Sequence, residues 1–304
     1  MTSAPPRYLA VVNPAAGGGA CGRHAPAVVD RLRQSGLEVD VIETRGPGQA
    51  RELARTELAG TRRHFIAVGG DGTSFEIVNG LLDQPHAGER PTLGFLPLGT
   101  GNSFLRDFTE AGAEYAIEAL KAGKRRPCDV IRVTTTNSGT LHYINIFSIG
   151  FVAAVGATRN RHFSGLGEFG YTLGTVLRVA GLHPYVFPMT IAGREGEDRE
   201  PLTFLSVNNS RFTGGKMMMA PDANTRDGLL DIIRVGKMGR LSLLRTFPKI
   251  FKGTHVHHPA VSCYQAPAVD FRLDGEVDVM IDGEMMKFNP TRLEVVPGAI
   301  DVRT

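Results

Sequence analysis

The stretch Gly69-Gly70-Asp71-Gly72-Thr73 sets one carboxylate inside a run of residues with almost no side chain. Glycine permits the tight turn and lets backbone N–H groups face a ligand. A nest of that kind, opening on a helix N-terminus, binds anions and phosphate above all. A carboxylate repels bare phosphate, so Asp71 calls for a divalent cation between the two. Two more glycine loops occur, Asn13-Pro14-Ala-Ala-Gly17-Gly18-Gly19-Ala-Cys-Gly22 and Leu96-Pro97-Leu98-Gly99-Thr100-Gly101-Asn102-Ser103. One such loop is ordinary turn chemistry. Three, each following an apolar run, point to a shared phosphate site.

Other constellations are weaker. Gly17-x-Gly19-x-x-Gly22 with Asp40 beyond it matches the dinucleotide fingerprint, but Asn13 to Ala16 lengthen the turn. No Gly-x4-Gly-Lys-Ser/Thr is present, which excludes a P-loop protein. His255, His257 and His258 form a cluster that a transition metal could use. Asp-Gly-Glu occurs twice, at 274–276 and 282–284. The first reads as a hairpin turn between alternating strands. Thr73 and Glu76 fit the capping box that opens a helix.

These residues need elements to hold them. Apolar runs at 8–12, 37–42, 65–68 and 92–96 read as strands, and 24–35, 49–58 and the stretch from 73 read as helices. The alternation implies a parallel sheet with crossover helices and a ligand at the carboxyl ends of its strands. Thr44, at the end of the second strand, joins that rim. Residues 106–123 read as helical and end in the basic cluster Lys121, Lys124, Arg125 and Arg126, a solvated helix end or, as the alternative, a membrane-facing patch. From 129 onward, strands are expected at 130–135, 141–149, 188–192, 201–208, 260–264, 268–273, 277–281 and 292–296, with a helix at 241–251. Met217 to Met219 read as strand core. The expected plan is an α/β nucleotide-binding domain over 1–128, an antiparallel all-β domain over 129–297, and a tail, 298–304, that returns to the first. The glycine-rich apolar stretch 159–187 suits either a core helix or a flap at a membrane interface.

Composition narrows the class. The 304 residues are 42% hydrophobic with a net charge of +3, a globular balance too weakly basic for nucleic acid. Three cysteines give neither a disulfide framework nor a zinc pattern, which fits a reducing, cytoplasmic setting. No leader and no transmembrane run is expected.

Asn13-Pro14 with its glycines, Gly69 to Thr73 with Glu76 and Asn79-Gly80, and Pro97 to Asn102 together resemble the diacylglycerol kinase catalytic domain family, which includes YegS-like lipid kinases and sphingosine kinases. Bacterial members often carry Asn where Phe75 stands and Asp where Ser103 stands. The resemblance implies a Rossmann-like, NAD kinase-like nucleotide domain and a β-sandwich-like second domain. It implies transfer of the ATP γ-phosphate to a lipid hydroxyl, with Asn13, Gly17, Thr44, Gly69, Gly70, Asp71, Gly72, Thr73, Ser74, Gly99, Thr100 and Asn102 at the nucleotide. In this reading Asp71 anchors the catalytic Mg2+, and the N–H groups of Gly70, Gly72 and Thr73 bind phosphate oxygens. It also implies Glu284, in the second Asp-Gly-Glu triplet, as the catalytic base. A structural Mg2+ is implied on the Asp227 carboxylate and the carbonyls of Asn224 and Leu229. The implied partner is a membrane lipid, reached by peripheral association with the inner face of the membrane. Oligomeric state stays open, a homodimer included. Two alternatives stand beside this reading, a soluble-metabolite kinase of the NAD kinase type and a non-catalytic lipid-binding homologue.

Overall fold

The computed structural model describes residues 6–85, 88–109, 112–137, 139–150 and 184–304. The stretch 159–187 therefore lies outside the described residues except for 184–187. The chain divides into two units, Met1–Val130 with Pro297–Thr304, and Ile131–Val296.

In the first unit, strands β1 (Arg7–Val12), β2 (Glu38–Glu43), β3 (His64–Gly69) and β4 (Thr92–Pro97) form a parallel sheet in the order β2-β1-β3-β4. Asp301 and Val302, late in the closing strand, add in parallel beside β4. Helices α1 (Ala20–Gln34), α2 (Gln49–Ala59) and α3 (Asp71–Leu82) are the crossovers. Their apolar spacing does the docking: Cys21, Ala25, Val29 and Leu32 are the buried stripe of α1, and Ala50, Ala54 and Leu58 that of α2. Buried β-strand side chains such as Leu9, Val11, Ile66, Val68 and Leu93 complete the core. Gly80 is glycine because a Cβ there would strike the Arg51 carbonyl of α2, so the two helices could not approach as they do.

Two local expectations fail here for physical reasons. The capping box does not form: α3 starts after Gly70 with no side-chain cap. Glu76 instead accepts the Gly48 N–H at 2.7 Å and the Ala50 N–H at 3.0 Å, capping α2. Gly48 has no side chain with which to cap α2, so the carboxylate of a neighbouring helix does so. Glu76→Ala should cost about 1 kcal/mol, read as a lower urea midpoint with an unchanged slope; an unchanged midpoint would refute this cap. Residues 106–123 also do not make one helix. A 3-10 turn at Phe104–Asp107 precedes α4 (Gly112–Ala122), and Arg125 already opens the next strand and pairs with Glu89. Arg126 lies over the Phe108 ring at 5.0 Å.

At the opposite ends of these strands, His64 stacks obliquely on Tyr8, ring centroids 5.5 Å apart. Burial, reinforced by Arg125 and Arg303, pushes the His64 pKa from 6.5 down to about 4. The native state therefore holds His64 neutral while the unfolded chain protonates it. The resulting stability is intact above pH 6.5 and is lost as pH falls from there to about 4. The loss should approach roughly 2–3 kcal/mol. Thermal unfolding followed across that window should show a shallower acid decline in His64→Gln; identical profiles would contradict it.

The second unit is antiparallel. Strands β5 (Arg125–Thr135), β6 (Thr140–Tyr143), β7 (Ile146–Gly150), β8 (Met189–Ile191), β9 (Leu202–Asn208), β10 (Phe212–Thr213), β11 (Met217–Met218), β12 (Leu230–Gly236), β13 (Val261–Ala266), β14 (Ala268–Phe271), β15 (Val277–Ile281), β16 (Glu284–Phe288) and β17 (Pro290–Arg303) run through it, β5 and β17 continuing into the first unit. Six form one sheet, in the order β13-β12-β9-β7-β15-β16. The other layer pairs β17 with β14 and β14 with β8, and carries the β5–β6 hairpin. Phe147 of the first layer meets Phe271 of the second, centroids 6.3 Å apart, inside the sandwich.

Sequence spacing mistook three features of this unit. Residues 141–149 are not one strand: β6 and β7 belong to different sheets and the chain turns at Ile144-Asn145. Asp274-Gly275-Glu276 is not a hairpin turn, because β14 and β15 lie in different sheets. The two-residue hairpin turn is Asp282-Gly283, joining β15 to β16 with positive φ at both positions (45° and 88°), as a type I′ turn requires. The helix expected at 241–251 is split into a short helix Arg240–Thr246 and a 3-10 turn Phe247–Lys252 that contains Pro248. Met217 and Met219 are buried, as core residues should be.

Candidate active site

All three glycine loops stand at the carboxyl ends of β1, β3 and β4, and backbone contacts stitch them into one wall. The Asn13 N–H donates to the Val68 carbonyl at 3.0 Å. The Asn13 side chain accepts from the Ala15 N–H and donates from Nδ2 to Thr73 Oγ1, both at 3.2 Å. Asn13 thus shapes its own loop and ties it to the second. The Gly99 N–H donates to the Gly69 carbonyl at 2.8 Å, tying the second loop to the third. A Cβ on Gly99 would overlap the Gly70 backbone, and one on Gly17 would come 3.0 Å from the Leu98 carbonyl oxygen. Glycine is required at both by these close approaches, and at Gly17 also by φ of 61°. Asn102 sits at φ 51° and donates from Nδ2 to the Gly99 carbonyl at 2.7 Å, leaving Oδ1 buried and without a partner. Thr44 donates its N–H to the Val12 carbonyl at 2.8 Å, which puts it beside the start of the first loop. Ser74 and Phe75 are buried in α3, and Thr100 is exposed on the third loop.

What this wall offers a ligand is mostly backbone N–H. Among the described residues, the N–H groups of Gly17, Gly18, Gly70, Gly72 and Thr100 have no acceptor. The N–H of Thr73, expected to face an anion, donates instead to the Gly70 carbonyl at 3.1 Å. Asp71 has a partner that sequence did not reveal: its two carboxylate oxygens accept the Ser103 N–H at 2.9 and 3.1 Å. Burial raises the Asp71 pKa, and the Ser103 and Phe104 N–H groups oppose that rise. Asp71 thereby caps the 3-10 turn Phe104–Asp107 and fixes the third loop. Ser103 does this with its backbone N–H and also with its hydroxyl, and only the backbone part is independent of the side chain. A hard carboxylate beside free N–H donors still fits Mg2+ shared with phosphate oxygens.

In the second unit, Asp227 is exposed and its Oδ1 accepts the Leu229 N–H at 3.1 Å. The Asn224 carbonyl accepts the Arg226 N–H at 2.8 Å. One carboxylate and carbonyl oxygens on a tight loop match the donor chemistry of a Mg2+ that keeps several waters. Asp231, close by, is 5% exposed with Oδ2 unpartnered, and burial lifts its pKa to about 7, helped by Asp227 and Asp222. The histidine cluster does not converge. His255 donates from Nε2 to the Met219 carbonyl at 3.0 Å, and His258 accepts the Ala260 N–H at Nδ1 and meets Ser242 through Nε2. No set of three metal-ligating side chains occurs among the described residues.

The second Asp-Gly-Glu triplet places its two carboxylates differently. Asp282, 2% exposed, accepts the N–H groups of Ile144, Asn145 and Ile146 at 2.9–3.0 Å. It pins the turn between β6 and β7. Glu284 follows the Asp-Gly turn, opens β16 and is exposed. Asp71 and Glu284 belong to different units. The Asp282 pin left one trace in sequence, an Asp-Gly pair between two alternating runs; its three N–H donors come from residues more than a hundred positions away and left none.

Residues 7–133 match the diacylglycerol kinase catalytic domain, and residues 145–304 match the YegS C-terminal NAD kinase beta sandwich-like domain. A protein of Mycobacterium tuberculosis named diacylglycerol kinase is 31% identical over 97% of this chain and 94% of its own length. One of the same name from Bacillus subtilis is 26% identical over 91% of this chain and 89% of its own. A crystal structure from Bacillus anthracis str. Sterne, assigned as a diacylglycerol kinase, superposes with a TM-score of 0.79 at 25% identity, covering 99% of this chain and 98% of that one.

Proposed function

The chain belongs to the diacylglycerol kinase family of lipid kinases, and from that premise we propose that it transfers the γ-phosphoryl group of ATP to the hydroxyl of a membrane lipid of the diacylglycerol or sphingoid kind. The observation that carries this reading is the three-loop wall, with unpartnered N–H groups of Gly17, Gly18, Gly70, Gly72 and Thr100 around Asp71. Phosphoryl transfer asks chiefly for positioning and for neutralisation of phosphate charge. The N–H groups supply part of both without any reorganisation. Asp71 would hold Mg2+ at the phosphates, and Asp227 with the Asn224 and Leu229 carbonyls would hold a structural Mg2+. When bound, the ion at Asp71 would supply neutralisation of phosphate charge. Glu284 accepts the proton of the lipid hydroxyl as its oxygen attacks the γ-phosphorus and the bond to ADP breaks. The enzyme works from the cytoplasm, at the inner face of the membrane where such lipids lie.

A panel assay tests this directly: γ-labelled ATP offered with diacylglycerol, monoacylglycerol, sphingoid bases and phosphatidylglycerol in mixed micelles. Label should pass into the organic phase with one of them; none with any lipid would refute the reading. A soluble-metabolite kinase remains the second reading, since the C-terminal match is itself described as NAD kinase-like. Label appearing in NADP, and not in lipid, would favour it.

A further inference from the structure

We propose that the segment from Lys237 to Lys252, in the second unit, is a docking surface for anionic bilayers. This deepens the lipid-kinase reading, on which it rests, by naming what brings the enzyme to an insoluble substrate. Between Asp231 and Asp270 the chain has no acidic residue at all. Within that span Lys237, Arg240, Arg245, Lys249 and Lys252 are exposed and make no ion pair among the described residues. The basic residue nearest before them, Arg234, differs in being paired with Asp198 at 2.6 Å.

Apolar side chains stand among these cations. Leu241 is 69% exposed, Leu244 39% and Phe251 51%. They make three of the five large exposed hydrophobics among the described residues, and all fall within eleven positions. The short helix Arg240–Thr246 and the 3-10 turn Phe247–Lys252 are not loose. Leu243 and Ile250 pack onto the buried cluster of Ile146, Phe204, Val235 and Met238. Thr246 is buried as well, and Phe247 meets Phe251 edge-on with centroids 6.4 Å apart. Leu243, Thr246 and Ile250 thus anchor the segment in the core, while Leu241, Leu244 and Phe251 are exposed in the same sixteen residues as five exposed cations.

That combination selects its occupant. Cations without anions complement a negatively charged lipid surface, where each Lys or Arg adds to binding, and exposed Leu and Phe enter the boundary of the acyl chains. A second copy of this chain would set the same cations against themselves, which repels. A soluble protein partner would need acidic groups with no apolar counterpart wasted.

The test uses the full chain and sucrose-loaded vesicles, either pure phosphatidylcholine or phosphatidylcholine mixed with phosphatidylglycerol, without ATP. The wild type should sediment with the mixed vesicles and not with the pure ones. The variant Arg245→Gln/Lys249→Gln/Lys252→Gln should bind roughly a hundredfold more weakly, since each cation near an anionic surface contributes about fivefold. Leu241→Ser/Phe251→Ser should lower binding at every salt concentration, while the charge variant loses its difference from wild type as salt rises. Both should keep wild-type turnover on a short-chain, monomeric diacylglycerol, which shows that they fold. Wild-type binding by both variants, no binding of the wild type to anionic vesicles, or a wild-type dimer that Leu241→Ser/Phe251→Ser dissolves would overturn the proposal. Vesicle binding with no lipid phosphorylated would instead refute the kinase reading and leave this surface standing.

Discussion

Glu284→Gln is expected to lower turnover by roughly 10²–10⁴-fold, the usual contribution of a positioned general base. The KM for ATP should hardly move, because the proposed base touches the lipid hydroxyl and not the nucleotide. Stability should also hold, since Glu284 is exposed at the start of β16. Single-turnover transfer from γ-labelled ATP, with thermal unfolding as control, separates these readouts. Unchanged turnover would remove Glu284 from the chemistry, whatever the fate of the kinase reading.

Two positions earlier, the expected effect is the reverse in kind. Asp282→Ala should destabilise the protein by about 4 kcal/mol, because each buried N–H left without its acceptor costs on the order of 1–3 kcal/mol. Three N–H groups, of Ile144, Asn145 and Ile146, lose their acceptor at once. Alanine also tolerates the φ of 45° less well than aspartate does. A loss of that size lowers Tm by on the order of 10 °C in a unit this long. Asp282→Asn keeps one acceptor oxygen and should fall between. Calorimetry on the two variants decides the matter; a wild-type Tm for Asp282→Ala would mean that the turn is held by something else. Taken together, the two substitutions divide one tripeptide into a structural residue and a reacting one.

Sequence was most legible where a residue acts through its own backbone. The glycine loops announced themselves because Gly17 and Gly99 are required by φ or by close approach, and neither demand depends on a distant side chain. The parallel sheet followed from apolar runs alternating with helical stripes such as Cys21, Ala25, Val29 and Leu32. Partners chosen by tertiary contact were not legible. Glu76 had the spacing to cap its own helix but caps α2, because Gly48 there offers no side chain. Asp71 looked like a free metal anchor until the Ser103 N–H was found on it. Of two identical Asp-Gly-Glu triplets, spacing put the hairpin at 274–276, while the sheets put it at Asp282-Gly283. Alternation alone could not tell that β14 and β15 belong to different layers.

The most direct measurement of the central claim is one reaction mixture holding γ-labelled ATP, diacylglycerol and a sphingoid base in mixed micelles, and NAD. The account predicts label in a phosphorylated lipid, extractable into organic solvent, and none when the label is carried on the α-phosphate. Label confined to the aqueous phase as NADP, or remaining in ATP with every lipid offered, would contradict it.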